Sequence, residues 1–290
     1  MNRPDRSEGT VAVVILTYNE ERNLPQALSS VVGWADEVFV FDSFSTDRTV
    51  EIAQQMGATV MQHPFENYAQ QRNAALDRLP IQSEWILFLD ADEWVPQELK
   101  DEIREVISSL PEKDGFYLKR RFIWMGRWIR RGYYPTWILR LVRRGKGRCE
   151  ERQVNEHLVV DGPVGYLKHD FIHEDRKGVS EWIAKHVKYA QREADELFRQ
   201  DHEQEIPARF FGTQAERKRW IRQNIWGRLP PLVRPWFYFF YRLVLRGGFL
   251  DGRRAVAYHF LHALWFPMLI DIFYLERCLS LRSNPQQRIF

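Results

Sequence analysis

Apolar runs and helix-like segments alternate through the first hundred residues, the pattern of βαβ units around a parallel sheet. Val11–Thr17 (VAVVILT) is an unbroken, β-branched-rich run, as a strand buried on both faces requires. Asn19 is placed to cap a helix running to about Val32, with Glu20 and Glu21 in its first turn, where the helix dipole favours negative charge. Residues 37–41 read as a second strand and 58–63 as a third, with Ser45 or Thr46 capping a helix over about 47–56 between them. A helix over 68–77 and a fourth strand over 85–89 follow, the strand ending in Asp90-Ala91-Asp92-Glu93. Pro96 suits the first turn of a helix reaching about Ser109.

After Gly115 the pattern changes. Gly115–Trp124 and Trp137–Arg143 predict strands on either side of a loop, 125–135, crowded with Arg, Trp and Tyr. Residues 164–168 predict another short strand, and 178–200 a charged helix with an apolar stripe through Trp182, Ile183, Val187, Ala190 and Ala194. From Ile206 the chain turns basic and aromatic, with apolar segments at 236–245 and 255–275. The second is long enough to span a bilayer, but His259, His262, Pro267 and Asp271 interrupt it. Interfacial helices and a helical subdomain packed on protein are both open readings there.

Composition narrows the class. The 290 residues suit one large α/β domain, or one domain with an appendage. At 44% hydrophobic and 28% charged, wholesale disorder is excluded. Cys149 and Cys278 are too few and too far apart for a disulfide framework or a structural zinc site. The residues ahead of Val11 hold no signal-like apolar stretch, so the chain is expected to stay in the reducing cytoplasm. Residues 1–100 carry 7 Lys/Arg against 16 Asp/Glu, so the net +3 of the whole chain hides an acidic first third and a basic remainder. The organisation expected is a flexible 1–9, a catalytic domain over 10–205, and a helical subdomain over 206–290 that docks on a membrane or on protein. The domain would divide into a donor half (10–110) and an acceptor half (111–205).

Open parallel sheets bind ligands outside the carboxyl ends of their strands. Strand one ends in Thr17-Tyr18-Asn19-Glu20, strand two in Asp42-Ser43-Phe44-Ser45, and strand four in Asp90-Ala91-Asp92. One edge thus receives an aromatic ring, hydroxyls and at least three carboxylates. Neither GxGxxG nor GxxxxGK[ST] occurs, which disfavours dinucleotide cofactors and P-loop chemistry. Carboxylates at a nucleotide-type crevice imply Mg²⁺ or Mn²⁺, since they would otherwise repel a diphosphate. Singly, each feature is ordinary: an Asp after a strand forms turns, Tyr18 could pack, and a lone Asp-x-Asp occurs by chance. Three such features together, at the ends of strands one, two and four, predict a ligand site.

The segments V-V-I-L-T-Y-N-E-E-R-N-L, V-F-V-F-D-S-F-S-T-D-R-T and W-I-L-F-L-D-A-D-E resemble the N-terminal half of family 2 glycosyltransferases, and Tyr68-Ala69-Gln70-Gln71-Arg72-Asn73 extends the likeness to bacterial lipopolysaccharide-core β-glucosyltransferases. The likeness covers about residues 10–200 and is most specific in the first hundred. It implies a GT-A fold, a Rossmann-like, mostly parallel α/β sheet flanked by helices, here with a basic, aromatic-rich helical C-terminal extension. It implies inverting transfer of a hexose from a nucleotide-diphosphate donor, normally UDP-linked, with Mg²⁺ or Mn²⁺, to a lipid-linked or lipopolysaccharide-type acceptor at the inner face of the membrane. By the same resemblance Tyr18 stacks on the nucleobase, with Thr17 and Glu20 nearby, and Asp42 accepts a hydrogen bond from the base. Arg72 faces the nucleotide, Asp90 lies at the ribose and metal side, and Asp92 coordinates the metal. Where the family's commonest second motif reads D-D-G-S-x-D, this chain has Phe41 for the first Asp and Phe44 for the Gly.

Inverting transfer needs one general base near the acceptor, expected from the second half of the chain. Glu156, Asp170 and Glu174 or Asp175 are candidates, and the family's V-H-E-like segment, here Val154-Asn155-Glu156-His157, favours Glu156. His169 and His173 are spaced four apart across a strand-like stretch, a poor zinc pattern. Residues 116–149 hold eleven Lys/Arg and no acid, interleaved with aromatics. A sugar and phosphate acceptor surface is favoured there over nucleic acid. Two other classes compete: a nucleotidyltransferase, which would carry a Gly-rich basic loop that TYNEERN lacks, and a non-enzymatic RNA- or membrane-binding module resting on the basic half alone.

Overall fold

A computed structural model describes residues 9–109, 112–150, 157–199, 211, 216–217, 220–221, 224 and 226–283. The chain divides into two units: residues up to Gly126 with Tyr134–Lys177, and Arg127–Tyr133 with the residues from Gly178 on.

In the first unit the described strands are β1 (Val11–Thr17), β2 (Glu37–Asp42), β3 (Thr59–Gln62), β4 (Trp85–Asp90), β5 (Glu93–Trp94), β6 (Gly115–Trp124), β7 (Trp137–Arg143), β8 (Gly147–Cys149), β9 (Leu158–Val160) and β10 (Val164–His173). One sheet runs in the order β3-β2-β1-β4-β7-β6-β10-β5, and β8 pairs with β9 apart from it. Neighbours from β3 to β4 are parallel, as are β6 and β10. The pairs β4–β7, β7–β6 and β10–β5 are antiparallel. The expected α/β, mostly parallel sheet is present, and it is mixed.

Helices α1 (Leu24–Val31), α2 (Thr49–Gln55), α3 (Tyr68–Arg78) and α4 (Gln97–Ser108) flank the sheet. The pleat of β1 explains its composition. Val11, Val13 and Ile15 enter a core with Leu24, Leu28, Leu99 and Ile103, whereas Ala12 and Val14 enter a second core with Phe41, Phe88 and Ala75. Each of the larger buried side chains contributes roughly 1.5–3 kcal/mol. Phe41 is fully buried and stacks on His63 at 5.4 Å, so the aromatic ring that replaces an acid of the family pattern strengthens the core.

Local structure departs from the sequence reading at three places. Asn19 does not cap α1: it sits at φ 54° and its Oδ1 accepts from the Thr46 backbone, so the helix begins later, at Leu24. Ser45 and Thr46 do not cap α2, which starts at Thr49 with Asp47 Oδ1 accepting from the Thr49 backbone. The strand expected over 164–168 continues to His173, through a register irregularity between Tyr166 and Asp170.

The second unit is helical. It contains α5 (Val179–Arg199), α6 (Arg234–Phe240) running into a π-helical turn at Tyr241–Leu245, a 3₁₀ turn at Gly248–Asp251, α7 (Arg253–His259), a second π-helical stretch at Phe260–Trp265, and α8 (Phe266–Ser283). Ala190 and Ala194 of α5 pack on Ile270 of α8. The helical stretch Arg253–Ser280 is long and apolar enough to cross a membrane, but its Asp271 is buried and holds the Arg234 guanidinium at 2.9 Å.

Candidate active site

The ends of β1 and β2 are stitched into one rim. Asp42 is fully buried; its carboxylate accepts from Thr17 Oγ1 at 2.8 Å, Gln62 Nε2 at 3.0 Å, and both the backbone and hydroxyl of Ser45. These donors fill the acceptor sites of the carboxylate and tie three strands together. Beyond them the Asn19 backbone donates to Ser45 Oγ at 2.8 Å, and the Glu20 backbone to Thr49 Oγ1 at 2.7 Å. Tyr18, between these anchors, is 58% exposed on a fixed backbone. Phe44 is also exposed and sits at φ 57°, a left-handed conformation costly for a bulky residue.

At the end of β4, Asp90 lies between two guanidinium groups: Arg72 at 3.0 Å and Arg140 at 2.7 Å. Burial opposes its ionisation, but Arg140 and then Arg72 outweigh that and hold it well below the usual carboxylate range. Arg140 also reaches Glu93 Oε1 at 2.7 Å, while Glu93 Oε2 accepts from the Asp90 backbone at 3.0 Å. Glu93 is wholly buried, so both its oxygens are spent inside the protein.

The antiparallel β10–β5 pair sets His173 opposite Glu93. His173 Nε2 lies 3.2 Å from Asp92 Oδ2, and its Nδ1 lies 3.7 Å from Glu93 Oε1, too far for a hydrogen bond. Burial resists protonation of the ring, yet Asp92 and Glu93 prevail and push its pKa up to about 9. Asp92, Glu93 and His173 offer ligand atoms all within 4.8 Å of one another. With Glu93 committed to Arg140, the partly exposed Asp92 and His173 are the pair left to hold a divalent cation, which would have to displace the proton between Nε2 and Asp92. A carboxylate–imidazole pair suits Mn²⁺ better than the strictly oxygen-preferring Mg²⁺, with the remaining positions left to substrate oxygens and water.

The loop after β10 closes on the same rim. The Glu174 backbone donates to the Asp92 carbonyl at 2.9 Å, Asn23 Nδ2 donates to Asp175 Oδ1 at 3.0 Å, and Lys177 Nζ donates to Glu20 Oε1 at 2.6 Å. Burial raises the Glu20 pKa, and the nearby Asp92 charge adds to this against Lys177. A fourth strand end therefore joins the three foreseen from sequence, bringing a cation to the acidic edge.

Thr17 meets Asp42, Arg72 meets Asp90, and Glu20 and Asp92 share one electrostatic neighbourhood with Lys177 and His173. Glu156 lies outside the described residues. Asp170 is buried, with Tyr134 Oη donating to it at 3.1 Å and with Arg121 at 3.3 Å and Lys119 at 3.5 Å. His169 turns to Glu102, apart from His173. Sequence reasoning did not single out Glu93, Arg140 and Lys177, and it weighed His173 only as a zinc partner of His169, whereas the structure sets it beside Asp92. Arg140 alone carried a signal, as a charge inside the apolar run of β7.

Glycosyl transferase family 2 matches residues 12–157, from β1 through β8. The lipopolysaccharide core biosynthesis glycosyltransferase LpsC of Rhizobium meliloti (strain 1021) is 30% identical over 198 residues, 64% of this chain and 71% of that one. An uncharacterized glycosyltransferase of Rickettsia bellii (strain RML369-C) is 41% identical over 99 residues, so the chain spans about a third of the length of that relative. Among solved structures, glucosyl-3-phosphoglycerate synthase from Mycobacterium tuberculosis, in complex with Mn²⁺, UDP and glucosyl-3-phosphoglycerate, is similar at 21% identity and a TM-score of 0.33, over 41% of this chain and 46% of that one. A family match over half of the sequence, carrying the ends of β1, β2 and β4, shows that the chain belongs to glycosyl transferase family 2.

Proposed function

We propose that the protein transfers a hexose, with inversion, from a UDP-type nucleotide-diphosphate sugar to a lipid-linked or lipopolysaccharide-type acceptor at the cytoplasmic face of a membrane. The catalytic domain would span 10–205, with its donor half at 10–110. One observation carries the proposal: Asp92 and His173, brought together from two distant strand ends, form a pair fit for Mn²⁺, or less readily Mg²⁺, on the rim that presents Tyr18. The exposed Tyr18 ring offers a stacking face for the nucleobase, flanked by Thr17 and Glu20. Asp42, fully buried with its oxygens accepting from Thr17, Ser45 and Gln62, ties the ends of β1 and β2 together in place of the hydrogen bond to the base expected of it. Arg72 and Arg140 keep Asp90 ionised toward the ribose. When bound, the divalent cation supplies charge stabilisation to the departing diphosphate.

The acceptor oxygen forms its bond to C1 as the bond from C1 to the diphosphate breaks, and the acceptor proton passes to a carboxylate, assigned to Glu156. Asp170 is the weaker candidate, because Tyr134, Arg121 and Lys119 already engage its oxygens. The name of the LpsC relative supports an acceptor of the lipopolysaccharide class.

Calorimetry with UDP in the presence and absence of Mn²⁺ tests the donor side. Binding is expected only with Mn²⁺ and is expected to vanish in Asp92→Ala; UDP binding that ignores the metal would overturn the proposal. Glu156→Gln should bind donor as the wild type does but transfer sugar more slowly by on the order of 10². Transfer at the wild-type rate would move the base assignment to Glu174.

A further inference from the structure

Helix α6 and its π-helical continuation are built inside out. Trp236, Phe237, Phe240, Tyr241, Val244 and Leu245 are all exposed, as adjacent pairs repeating every four residues along one stripe. The arginines of the same segment are used inward. Arg234 is buried against Asp271, while Arg242 donates to Tyr238 Oη at 2.8 Å and to the Gly132 carbonyl, its guanidinium 4.3 Å from the Tyr133 ring centroid. A helix facing water shows charge outside and apolar side chains inside. Here the order is reversed, and Phe249 and Leu250 of the following turn are exposed as well.

The rim of this face has one sign of charge. Arg246, Arg253 and Arg254 are exposed. Residues 232–270 contain a single acid, Asp251, and it is buried and bonded to Arg131 at 2.9 Å. Two copies meeting through this patch would bring their arginine rims together, a repulsive arrangement. Anionic headgroups complement the rim, and Trp, Tyr and Phe suit the headgroup–acyl boundary. The buried Arg234–Asp271 pair and the packing of α8 on α5 keep Arg253–Ser280 with the protein, so docking need not involve a span.

We infer that the face formed by Trp236, Phe237, Phe240, Leu245, Phe249 and Leu250 docks into the interface of an anionic lipid bilayer, with Arg246, Arg253 and Arg254 at the headgroups. This deepens the acceptor side of the proposed function without depending on its donor chemistry.

Flotation of the full chain with vesicles tests it. The protein should float with phosphatidylcholine–phosphatidylglycerol vesicles, less so in high salt, and hardly with phosphatidylcholine alone. The combined Phe237→Ser, Phe240→Ser and Leu245→Ser variant should lose on the order of tenfold or more in partitioning, as should Arg246→Glu with Arg253→Glu. Thermal melting and Mn²⁺-dependent UDP binding of the same variants serve as fold controls. A serine variant that floats as the wild type does would overturn the inference. So would wild-type protein that binds UDP yet stays free of anionic vesicles, including one shown by sedimentation to be a dimer through this face. Vesicle binding without UDP binding would uphold the docking face and reject the donor proposal.

Discussion

Arg140 occupies a position where an unpaired cation would be untenable. It is buried in the middle of β7, and two carboxylates, Asp90 and Glu93, share its guanidinium. Arg140→Met leaves both acids short of a partner and should destabilise the chain by about 3–5 kcal/mol, read as a lowered urea midpoint. Adding Glu93→Leu to that variant should recover part of the loss, because apolar replacement of both partners removes the stranded charge. From the sequence, Arg140 could be recognised as a buried charge in need of a partner, but nothing along the chain named Asp90 or Glu93. Tyr18, Asp42, Asp90 and Asp92 were legible because each lies at the end of a strand whose apolar run is unmistakable. His173 was read only against His169, four residues away, and its true partner Asp92 lies about eighty residues back along the chain.

At the scale of elements, legibility follows burial. β1 and β4 pack on both faces and are written as continuous apolar runs. β10 is half exposed, and its KHDFIH stretch mixes charge with apolar residues. The two-residue β5 that pairs with its end leaves no periodic trace at all. The starts of α1 and α2 were misplaced for a related reason: Asn19, Ser45 and Thr46 spend their side chains between loops, and so are unavailable to the nearest helix. In the second unit, His259 at the end of α7 is fully buried and stacks on Tyr133. Burial, reinforced by the Arg242 charge, lowers its pKa from 6.5 to about 4. An unfolded chain therefore takes up a proton between those values that the folded chain refuses, and stability falls as pH drops through that window. The cost should reach about 2–3 kcal/mol near pH 4. Circular-dichroism melts between pH 7 and 4 should show the decline, and His259→Phe should flatten it; an unchanged slope in that variant would remove His259 as the cause.

For the whole molecule, the pairing of Asp92 with His173 joins parts separated by about eighty residues of chain. Neither half of the first unit contains the pair by itself, so a cation held there acts as a clasp between the first sheet strands and the last. Mn²⁺ at a hundred times its dissociation constant should then stabilise the fold by about 2.7 kcal/mol, visible as a rise in melting temperature that disappears in His173→Ala. A nascent chain that has emerged only as far as α4 would carry the Asp-x-Asp motif but not the imidazole, and would leave the cation in solution. The two ligands of such a cation thus meet only once β10 has closed on β5 at the far edge of the sheet.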